Sequence, residues 1–433
     1  MRPDTFVVGE GVVEITPPLG IEMAGFHKPP GNERRITGIR QPTFVRALLL
    51  RLGPTQVVIV SLELIAVSRA FTRGVQKLVA RKTGIPATNI RLCATHSHST
   101  PTPQFMRQWG AVSETYRDFV GGKIVRAIEL AKHDLAPTDT YVGSERVVGG
   151  NFNRTGKPWK TNDKFTTDST DDERWLDTVL HALYFLREKP KRSLAWYHFS
   201  AHPVCYTDDK AGPDWPGIVA SKLKTRDALE PAYLQGHAGD VNPGNGKPWL
   251  GEPEQVSEAI YTALHHAINH SVRVRFNDIR LTSSEVEVPL DTAQLEEQLE
   301  FYRKDPSKCA QGEWVDAGFA KAWFESAVKW CLKKGSLNTP MSAVRLGEVA
   351  LLFHGAELYS YYGLKICLDS PFPTTLVVGY SDDFIGYLTD PNAYKDHEYA
   401  SMVVPKILDF PPFTPSAARE FTAAAETLLK KLV

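Results

Sequence analysis

Apolar and polar residues alternate in many short stretches of this chain, and that pattern predicts β-strands. In the stretch 90–95 every second residue is aliphatic or small, as expected for a strand with one buried face. Similar apolar runs, each short enough for a strand, lie at 57–64, 90–95, 141–148, 194–200, 233–235, 272–288, 341–353 and 374–379.

Stretches with helical periodicity fall between several of these runs, at 69–83, 113–133, 253–270, 292–304, 317–333, 357–368 and 416–432. Because strands and helices interleave along the whole length, the pattern predicts an α/β architecture in which helices cover β-sheets. No repeat and no linker-like break is apparent, so we expect one domain over 1–433. The polar tract 151–172 is expected to be a long surface loop or lid.

Charge and hydropathy narrow the range of functions. The chain of 433 residues has 50 basic and 50 acidic residues, so its overall charge favours neither nucleic acid nor an anionic membrane as partner. No apolar stretch approaches the length of a transmembrane helix. The five scattered cysteines argue against a disulfide framework and a cysteine-zinc site. No signal peptide is visible, which favours a cytoplasmic protein unless a leader has been removed.

The most informative segment is the His-x-His pair at the end of the predicted strand 90–95. If the strand continues, His96 and His98 point to the same face, about 6.6 Å apart along the backbone. Two imidazoles so placed suit a metal ligand with a neighbouring hydrogen-bond donor. The alternative is a pair of hydrogen-bonded loop histidines with no metal.

Four other segments place reactive side chains next to predicted strands. They contain His202 in 199–203, Asp240 and Asn242 in 236–245, Glu357 in 353–357, and the tyrosine-rich run from 379 through Tyr387 to Tyr399. Taken singly, each residue also fits a structural role, such as a buried histidine, a first-turn carboxylate or a core tyrosine. Their combination is more specific than any one of them.

In their order and spacing, these segments resemble the catalytic domain of the neutral, non-lysosomal ceramidases. That family begins with Gly-x-x-x-x-Asp-Ile-Thr-Pro-Pro, which corresponds here to 9–18 with Glu14 in the aspartate position. It continues with Thr-His-Thr-His-Ser, Phe-x-x-His-Pro-Thr, Gly-Asp-Val-Ser-Pro-Asn, Gly-Glu before a helix, and a tyrosine-rich run ending in Glu-Glu-Tyr. The similarity covers about residues 9–400. It implies a single α/β domain of mixed sheets flanked by helices, without the C-terminal immunoglobulin-like domain of the full-length enzymes.

The resemblance implies a metal site in which Zn²⁺ is bound by His96, His202, Glu357 and Tyr387. Zinc accepts imidazole and carboxylate donors in a tetrahedral shell and keeps a position for water in catalytic sites. It lowers the pKa of that water to about 7, which supplies hydroxide at neutral pH. The implied activity is hydrolysis of a linear N-acyl amide.

Four further residues are expected to act without binding the metal: His98, Tyr399, Asp240 and Asn242. By the same resemblance, His98 lies beside the metal and donates to the oxyanion, and Tyr399 contacts the scissile amide. Asp240 and Asn242 belong to the loop that corresponds to the family's Gly-Asp-Val-Ser-Pro-Asn.

Departures from the family pattern bear on the substrate. Asn242 replaces the serine, and Ala356 lengthens the Gly-Glu pair by one residue. With the polar tract 151–172, the absence of a visible leader and the lack of a second domain, they favour an amide smaller or more polar than ceramide. A zinc-dependent esterase or lactonase on the same site remains an alternative, as do a non-catalytic metal-binding homologue and an interaction protein with coincidental motifs. The sequence leaves the oligomeric state open.

Overall fold

The computed structural model describes residues 5–311, 315–329 and 335–433. Its strands are β1 (Val7–Glu14), β2 (Gly38–Ile39), β3 (Phe44–Leu52), β4 (Thr55–Leu62), β5 (Ile90–Ala94), β6 (Ala136–Arg146), β7 (Asn151–Asn153), β8 (Lys160–Thr161), β9 (Trp175–Leu176), β10 (Val179–Arg187), β11 (Leu194–Phe199), β12 (Lys210–Ala211), β13 (Glu230–Gln235), β14 (Val241–Pro243), β15 (Val272–Val274), β16 (Ile279–Pro289), β17 (Ser336–Leu346), β18 (Val349–His354), β19 (Ala356–Leu358), β20 (Thr374–Val378) and β21 (Gly386–Leu388).

The helices are α1 (Arg69–Thr83), α2 (Glu114–His133), α3 (Trp215–Lys222), α4 (Pro253–Asn269), α5 (Thr292–Lys304), α6 (Ala317–Ala327), α7 (Ser360–Asp369), α8 (Pro391–Lys395), α9 (Tyr399–Met402), α10 (Val404–Ile407) and α11 (Ala417–Lys430). Each of these helices is too short or too polar to span a bilayer. Cys93, Cys205, Cys309 and Cys367 are free thiols, and Cys331 lies outside the described residues.

A large central sheet forms the middle of the molecule, with strand order β13-β11-β10-β6-β1-β3-β4-β5 and β15 paired to β6. The pairs β4–β5 and β11–β13 are parallel, and the other neighbours are antiparallel. The two ends of this sheet meet, because β13 contacts β4 and β5. Across this junction the Ser61 hydroxyl donates a hydrogen bond to the Tyr233 carbonyl at 2.7 Å.

The central sheet consists of two halves with the same order of elements. The first half contains β1, β3, β4, α1, β5 and α2; the second half contains β6, β10, β11, α3, β13 and α4. In each half three antiparallel strands are followed by a helix, a parallel edge strand and a second helix. The halves join where β1 and β6 pair antiparallel. The sequence showed no repeat, so this twofold arrangement of elements is visible only in the structure.

Glycine allows the second helix of each half to lie directly on its sheet. A Cβ at Gly11 of β1 would lie 1.9 Å from the Ala127 carbonyl oxygen of α2. A Cβ at Gly143 of β6 would lie 1.9 Å from the Ala267 carbonyl oxygen of α4. The same close approach therefore occurs in both halves, and a larger residue would push the helix off the sheet.

A second sheet, with order β16-β17-β18-β20, packs on the other face of the central sheet. Their shared core contains Val8 and Trp196 from the central sheet and Leu351 and Phe353 from β18. Helices α7 and α11 cover the outer face of the second sheet. The described chain thus forms four layers, helix–sheet–sheet–helix, and the predicted α/β class is confirmed.

Residues 379–382, here called the crosspiece, connect the ends of three strands. Its backbone hydrogen bonds are Gly379 N to Gln235 O at 3.0 Å, Ala94 N to Tyr380 O at 3.0 Å, Asp382 N to Leu92 O at 2.8 Å and Ser381 N to His354 O at 2.8 Å. Strands β13, β5 and β18 are thereby held together at one point. The loops that follow these strands enclose a common space.

Some local predictions differ from the structure. The predicted helix 357–368 begins at Ser360, because Glu357 lies on β19, where it pairs with β21. The run 341–353 is divided by a turn at Gly347, and 272–288 contains two strands. The helix predicted at 317–333 ends at Ala327, and 330–334 lie outside the described residues.

The polar tract 151–172 contains β7 and β8 and is fixed to the body of the molecule near its end. Asp171 accepts hydrogen bonds from Arg419 at 2.6 and 2.7 Å and from the Tyr362 hydroxyl at 2.8 Å. These contacts anchor the tract to α7 and α11. They argue against a freely opening lid.

Candidate functional site

His96 lies just beyond the edge strand β5 and not on it. The strand ends at Ala94, and His96 has a positive φ of 67°, which is uncommon for a residue with a side chain. The prediction that His96 and His98 share one face of an extended strand is therefore wrong. The turn instead brings the two Nε2 atoms to 3.2 Å from each other.

Backbone carbonyls orient all three histidines of the site. The Nδ1 atoms of His96, His98 and His202 lie 2.7, 2.7 and 3.0 Å from the carbonyl oxygens of Ile65, Gly25 and Val241, respectively. A carbonyl only accepts hydrogen bonds, so each Nδ1 carries a hydrogen and each neutral ring keeps its lone pair on Nε2. A backbone bond that leaves Nε2 free in this way is typical of metal-binding histidines.

The free nitrogen atoms converge with one carboxylate. The Glu357 Oε2 atom is 3.4 Å from His96 Nε2 and 3.3 Å from His202 Nε2. One nitrogen each from His96, His98 and His202 lies within 4.8 Å of the others. Zinc–nitrogen bonds of about 2.0–2.1 Å give a tetrahedron with edges of about 3.3 Å, so these separations fit a tetrahedral metal ion.

The charges in this cluster also suit a cation. Burial lowers the pKa of His202 to about 4 and that of His98 well below its usual value, so both rings are neutral near pH 7. Burial alone would raise the pKa of Glu357, but the adjacent His96 and His202 bring it below the ordinary carboxyl value. Neutral imidazoles beside an ionised carboxylate are the protonation states that a metal requires. The donor set of these residues therefore fits zinc.

Tyr387 faces Glu357 across two short strands, because β19 and β21 pair in parallel with these residues in register. The Tyr387 hydroxyl oxygen accepts a hydrogen bond from Arg154 at 2.7 Å. Arg154 also donates to the Gly239 carbonyl at 2.8 Å and to Asn242 Oδ1 at 3.2 Å. The sequence gave no reason to select Arg154, which lies in the polar tract 151–172 and reaches the site because β7 pairs with β14.

Asp240 and Asn242 make their hydrogen bonds around the site and not to the histidine cluster. Asp240 Oδ1 accepts hydrogen bonds from the Ser360 backbone and hydroxyl at 2.8 Å each. Its Oδ2 accepts one from Asn153 at 2.8 Å. Asn242 joins Arg154 to the Trp249 carbonyl, to which its amide donates at 2.9 Å. Both residues thus fix the loop that orients Arg154 and His202.

Tyr399 lies at the entrance of the site. With Trp109, Met106 and Leu408 it lines a cavity of about 40 Å³ that His96, His98, Glu357 and Tyr387 also border. Its side chain is half exposed, and its ring centroid lies 6.4 Å from that of Tyr387. Met106 also lines a neighbouring cavity of about 470 Å³. A small reaction chamber therefore adjoins a larger space on the same side.

Comparisons with known proteins agree with this arrangement. The family model for the N-terminal part of neutral/alkaline non-lysosomal ceramidases matches residues 6–222. The crystal structure of neutral ceramidase from Pseudomonas aeruginosa is similar with a TM-score of 0.74 at 18% identity, over 99% of this chain and 74% of that chain. A ceramidase complexed with C2 gives 0.74 at 17% identity, over 99% and 75% of the two chains. At these identities, the two structures establish a shared fold.

Proposed function

From the premise that this chain belongs to the neutral/alkaline non-lysosomal ceramidase family, we propose that it is a zinc-dependent hydrolase of linear N-acyl amides. The family and the fold are those of hydrolases of the neutral ceramidase type. The metal and the amide substrate are the parts of the proposal that require experiment. The observation that supports it best is the approach of the Glu357 carboxylate to the Nε2 atoms of His96 and His202, at 3.4 and 3.3 Å.

In this proposal His96, His202, Glu357 and Tyr387 hold the zinc ion. Glu357 is near both histidines, and Tyr387 is its register partner on β21. Burial raises the pKa of the Tyr387 hydroxyl well above its usual value, and Arg154, at 2.7 Å from the oxygen, acts against that rise. A metal ion bound here would favour the ionised form further. Bound zinc supplies a water of lowered pKa and polarises the substrate carbonyl.

His98 is the residue proposed to move the proton. Its Nδ1 hydrogen is directed to Gly25, so neutral His98 accepts a proton at Nε2 and donates it only afterwards. This order refines the expected role of His98 as an oxyanion donor, since donation follows protonation. In the same proposal the Tyr399 hydroxyl bonds the amide of the substrate, which is supported by the position of Tyr399 in the lining of the cavity beside the histidines.

The substrate proposed is an N-acyl amide smaller than ceramide. The chamber next to the histidines holds about 40 Å³, and the neighbouring cavity of about 470 Å³ offers space for one apolar substituent more readily than for two long chains. Asn242 does not directly support a smaller substrate. Its amide already forms hydrogen bonds with Arg154 and the Trp249 carbonyl.

The test begins with elemental analysis of the purified protein and continues with kcat/KM for matched amides, esters and ceramide. We expect one zinc per chain, loss of hydrolysis after chelation, and recovery with zinc. Preference for a short amide over its ester and over ceramide is the expected result. Faster ester cleavage in a matched pair would favour the esterase, and preference for ceramide would overturn the substrate proposal.

His98→Ala separates the two roles that its position allows. As a proton carrier, His98 can be removed with zinc still bound and kcat lowered by about 10²–10³. Loss of zinc in this variant would instead place His98 among the ligands. Asn89→Ala, on the β5 side of the sheet but remote from the cluster, serves as the control.

A further inference from the structure

The tetrapeptide Gly-Lys-Pro-Trp occurs twice in the chain, at 156–159 and at 246–249. The first copy follows β7 and the second follows β14, and these two strands pair antiparallel with Asn242 opposite Phe152. The segments that follow two antiparallel strands leave in opposite directions, but here the tryptophans of both copies return to the Phe152 ring. Neither copy is part of the histidine cluster.

Phe152 lies between the two tryptophans. Its ring centroid is 6.3 Å from that of Trp159 and 5.3 Å from that of Trp249, the latter in an edge-to-face contact. Phe152 itself is buried. We call the surface formed by the two tetrapeptides over Phe152 the tryptophan platform.

The tryptophan platform combines exposed aromatic surface with two lysines, of which Lys157 lies with its Nζ 5.2 Å from the centroid of the Trp159 ring. Trp249 is 56% exposed, which is unusual for so large an apolar side chain. Lys157 and Lys247 are exposed, and neither forms an ion pair with a carboxylate in the described parts of the chain. Lys160, by contrast, pairs with Glu173. Trp159 also packs against the buried Leu176 and Val241, so the exposed groups that packing does not account for are the Trp249 indole and the Lys247 ammonium.

The tryptophan platform also adjoins the catalytic site. The Asn242 amide donates a hydrogen bond to the Trp249 carbonyl, and its oxygen accepts one from Arg154. Arg154 in turn donates to the Tyr387 hydroxyl. The tryptophan platform is therefore connected to a residue of the proposed metal site through three hydrogen bonds.

We propose that the tryptophan platform docks the protein on a lipid bilayer that contains anionic phospholipid. Indole rings favour the membrane–water interface, and lysines close to it are attracted by anionic headgroups. The overall charge of zero does not prevent such binding. The attraction between lysines and anionic headgroups falls off within a Debye length, so it depends on the two lysines of the platform and not on the net charge of the chain. The inference rests on the proposed function in one respect: an N-acyl amide partitions into such a bilayer.

The experiment measures co-sedimentation of the full chain with vesicles of phosphatidylcholine alone and of phosphatidylcholine mixed with phosphatidylserine, without substrate. We expect binding to the mixed vesicles. Lys157→Gln and Lys247→Gln should each weaken it by about fivefold at low salt. Trp249→Ala should weaken it by about tenfold on mixed vesicles, since a half-buried indole is lost.

Lys189→Gln provides the matched control, because Lys189 is also an exposed lysine before a proline, on the turn between β10 and β11. It should bind the mixed vesicles as the unaltered protein does. Equal effects of Lys189→Gln and Lys247→Gln would overturn the proposal, as would failure of the unaltered protein to bind. Loss with the lysine variants but none with Trp249→Ala would indicate a soluble polyanion as partner and would also overturn it.

Activity assays with soluble and with vesicle-bound amide test the docking proposal separately from the proposed function. Hydrolysis of a water-soluble amide by Lys247→Gln should equal that of the unaltered protein, while hydrolysis of the same amide class in mixed vesicles should fall by about fivefold. If no amide is cleaved but vesicle binding follows the pattern above, the docking surface stands and the proposed function fails. If both assays fall together in Lys247→Gln, the docking proposal fails.

Discussion

The two halves of the central sheet have the same topology but use their histidines differently. Each half has a histidine two residues beyond its parallel edge strand, His96 after β5 and His237 after β13. His96 turns into the histidine cluster with a positive φ. His237 is fully buried, with its Nε2 atom 3.1 Å from Asp177 Oδ2. Equivalent positions thus lie in the histidine cluster in one half and beside a buried carboxylate in the other.

The positions three residues beyond β4 and β11 are also equivalent, and at this pair the second half carries the histidine of the cluster. In the second half this position is His202, whose Nδ1 is held by the Val241 carbonyl after β13. In the first half it is Ile65, whose carbonyl holds His96. In the first half the loop after β4 supplies the carbonyl and the loop after β5 supplies the histidine. In the second half the loop after β11 supplies the histidine and the segment after β13 supplies the carbonyl. A duplicated scaffold can build a single asymmetric site in this way, with one imidazole from each half.

The largest difference between the halves should appear on removal of these imidazoles. His96→Asn and His202→Asn should each abolish zinc binding and lower kcat/KM by at least about a thousandfold, since the metal contributes several kcal/mol of transition-state stabilisation. Zinc content by elemental analysis and amide hydrolysis are the measurements. Either variant with full zinc content would remove that histidine from the ligand set.

The close approach of helix to sheet should be equally sensitive in both halves. Gly11→Ala and Gly143→Ala place a Cβ about 1.9 Å from a helical carbonyl, so each should lower the free energy of unfolding by about 3 kcal/mol. Denaturant titration measures this. Gly122→Ala is the control, because nothing lies within 4 Å of that Cβ on α2 and alanine favours the helix. A loss in only one half would show that the two contacts are not equivalent.

A buried carboxyl group at the contact between the halves should make stability depend on pH. Glu10 of β1 contacts Arg192 of the β10–β11 turn at 2.9 Å, and burial raises the pKa of Glu10 from 4.5 to about 7. The folded protein thus holds this proton more tightly than the unfolded chain does, and stability falls as pH rises from about 4.5 to 7. We expect Glu10→Gln to remove about 2 kcal/mol of that fall between pH 5 and 8. Glu14→Gln, at the exposed end of β1, should leave the pH profile unchanged.

The smallest effect should come from His237. Its ring lies against α7, where a Cβ at Gly363 would be 2.1 Å from His237 Cγ, and its loop carries the Val241 carbonyl that orients His202. His237→Gln should therefore weaken zinc binding by about tenfold, as the loss of a supporting contact does, without removing the metal. Competition with a chelator gives the affinity. An unchanged zinc affinity would show that His237 only packs in the core. Complete loss of zinc would show that His237 is as important for metal binding as His96.

Sequence patterns predicted local elements well where one face is buried. Helices 69–83 and 292–304 have the predicted bounds, and α2 begins one residue later than expected. Periodicity failed where tertiary contacts decide the conformation. Glu357 lies on a two-strand pair and not in a helix, because β21, some thirty residues later, provides its partner.

Candidate site residues could be predicted from the sequence only when they lie in a short sequence motif. The structure brings His96, His98, His202 and Glu357 together and places Tyr387 and Tyr399 at the same cavity. Arg154 was missed because an arginine in a polar tract has no local signature, and its role depends on the pairing of β7 with β14. The twofold arrangement was missed because it conserves strand order and not residues.

The crosspiece has a consequence for biosynthesis. It joins Gln235, Ala94 and His354, all of which precede it in the chain. During translation both halves of the central sheet leave the ribosome with their edge strands β5 and β13 unjoined, and unpaired edges are where nascent chains mispair. The synthesis of both halves therefore precedes that of the crosspiece that joins their edges. The cavity beside the histidines is enclosed only when residues 379–399 reach β5 and β13.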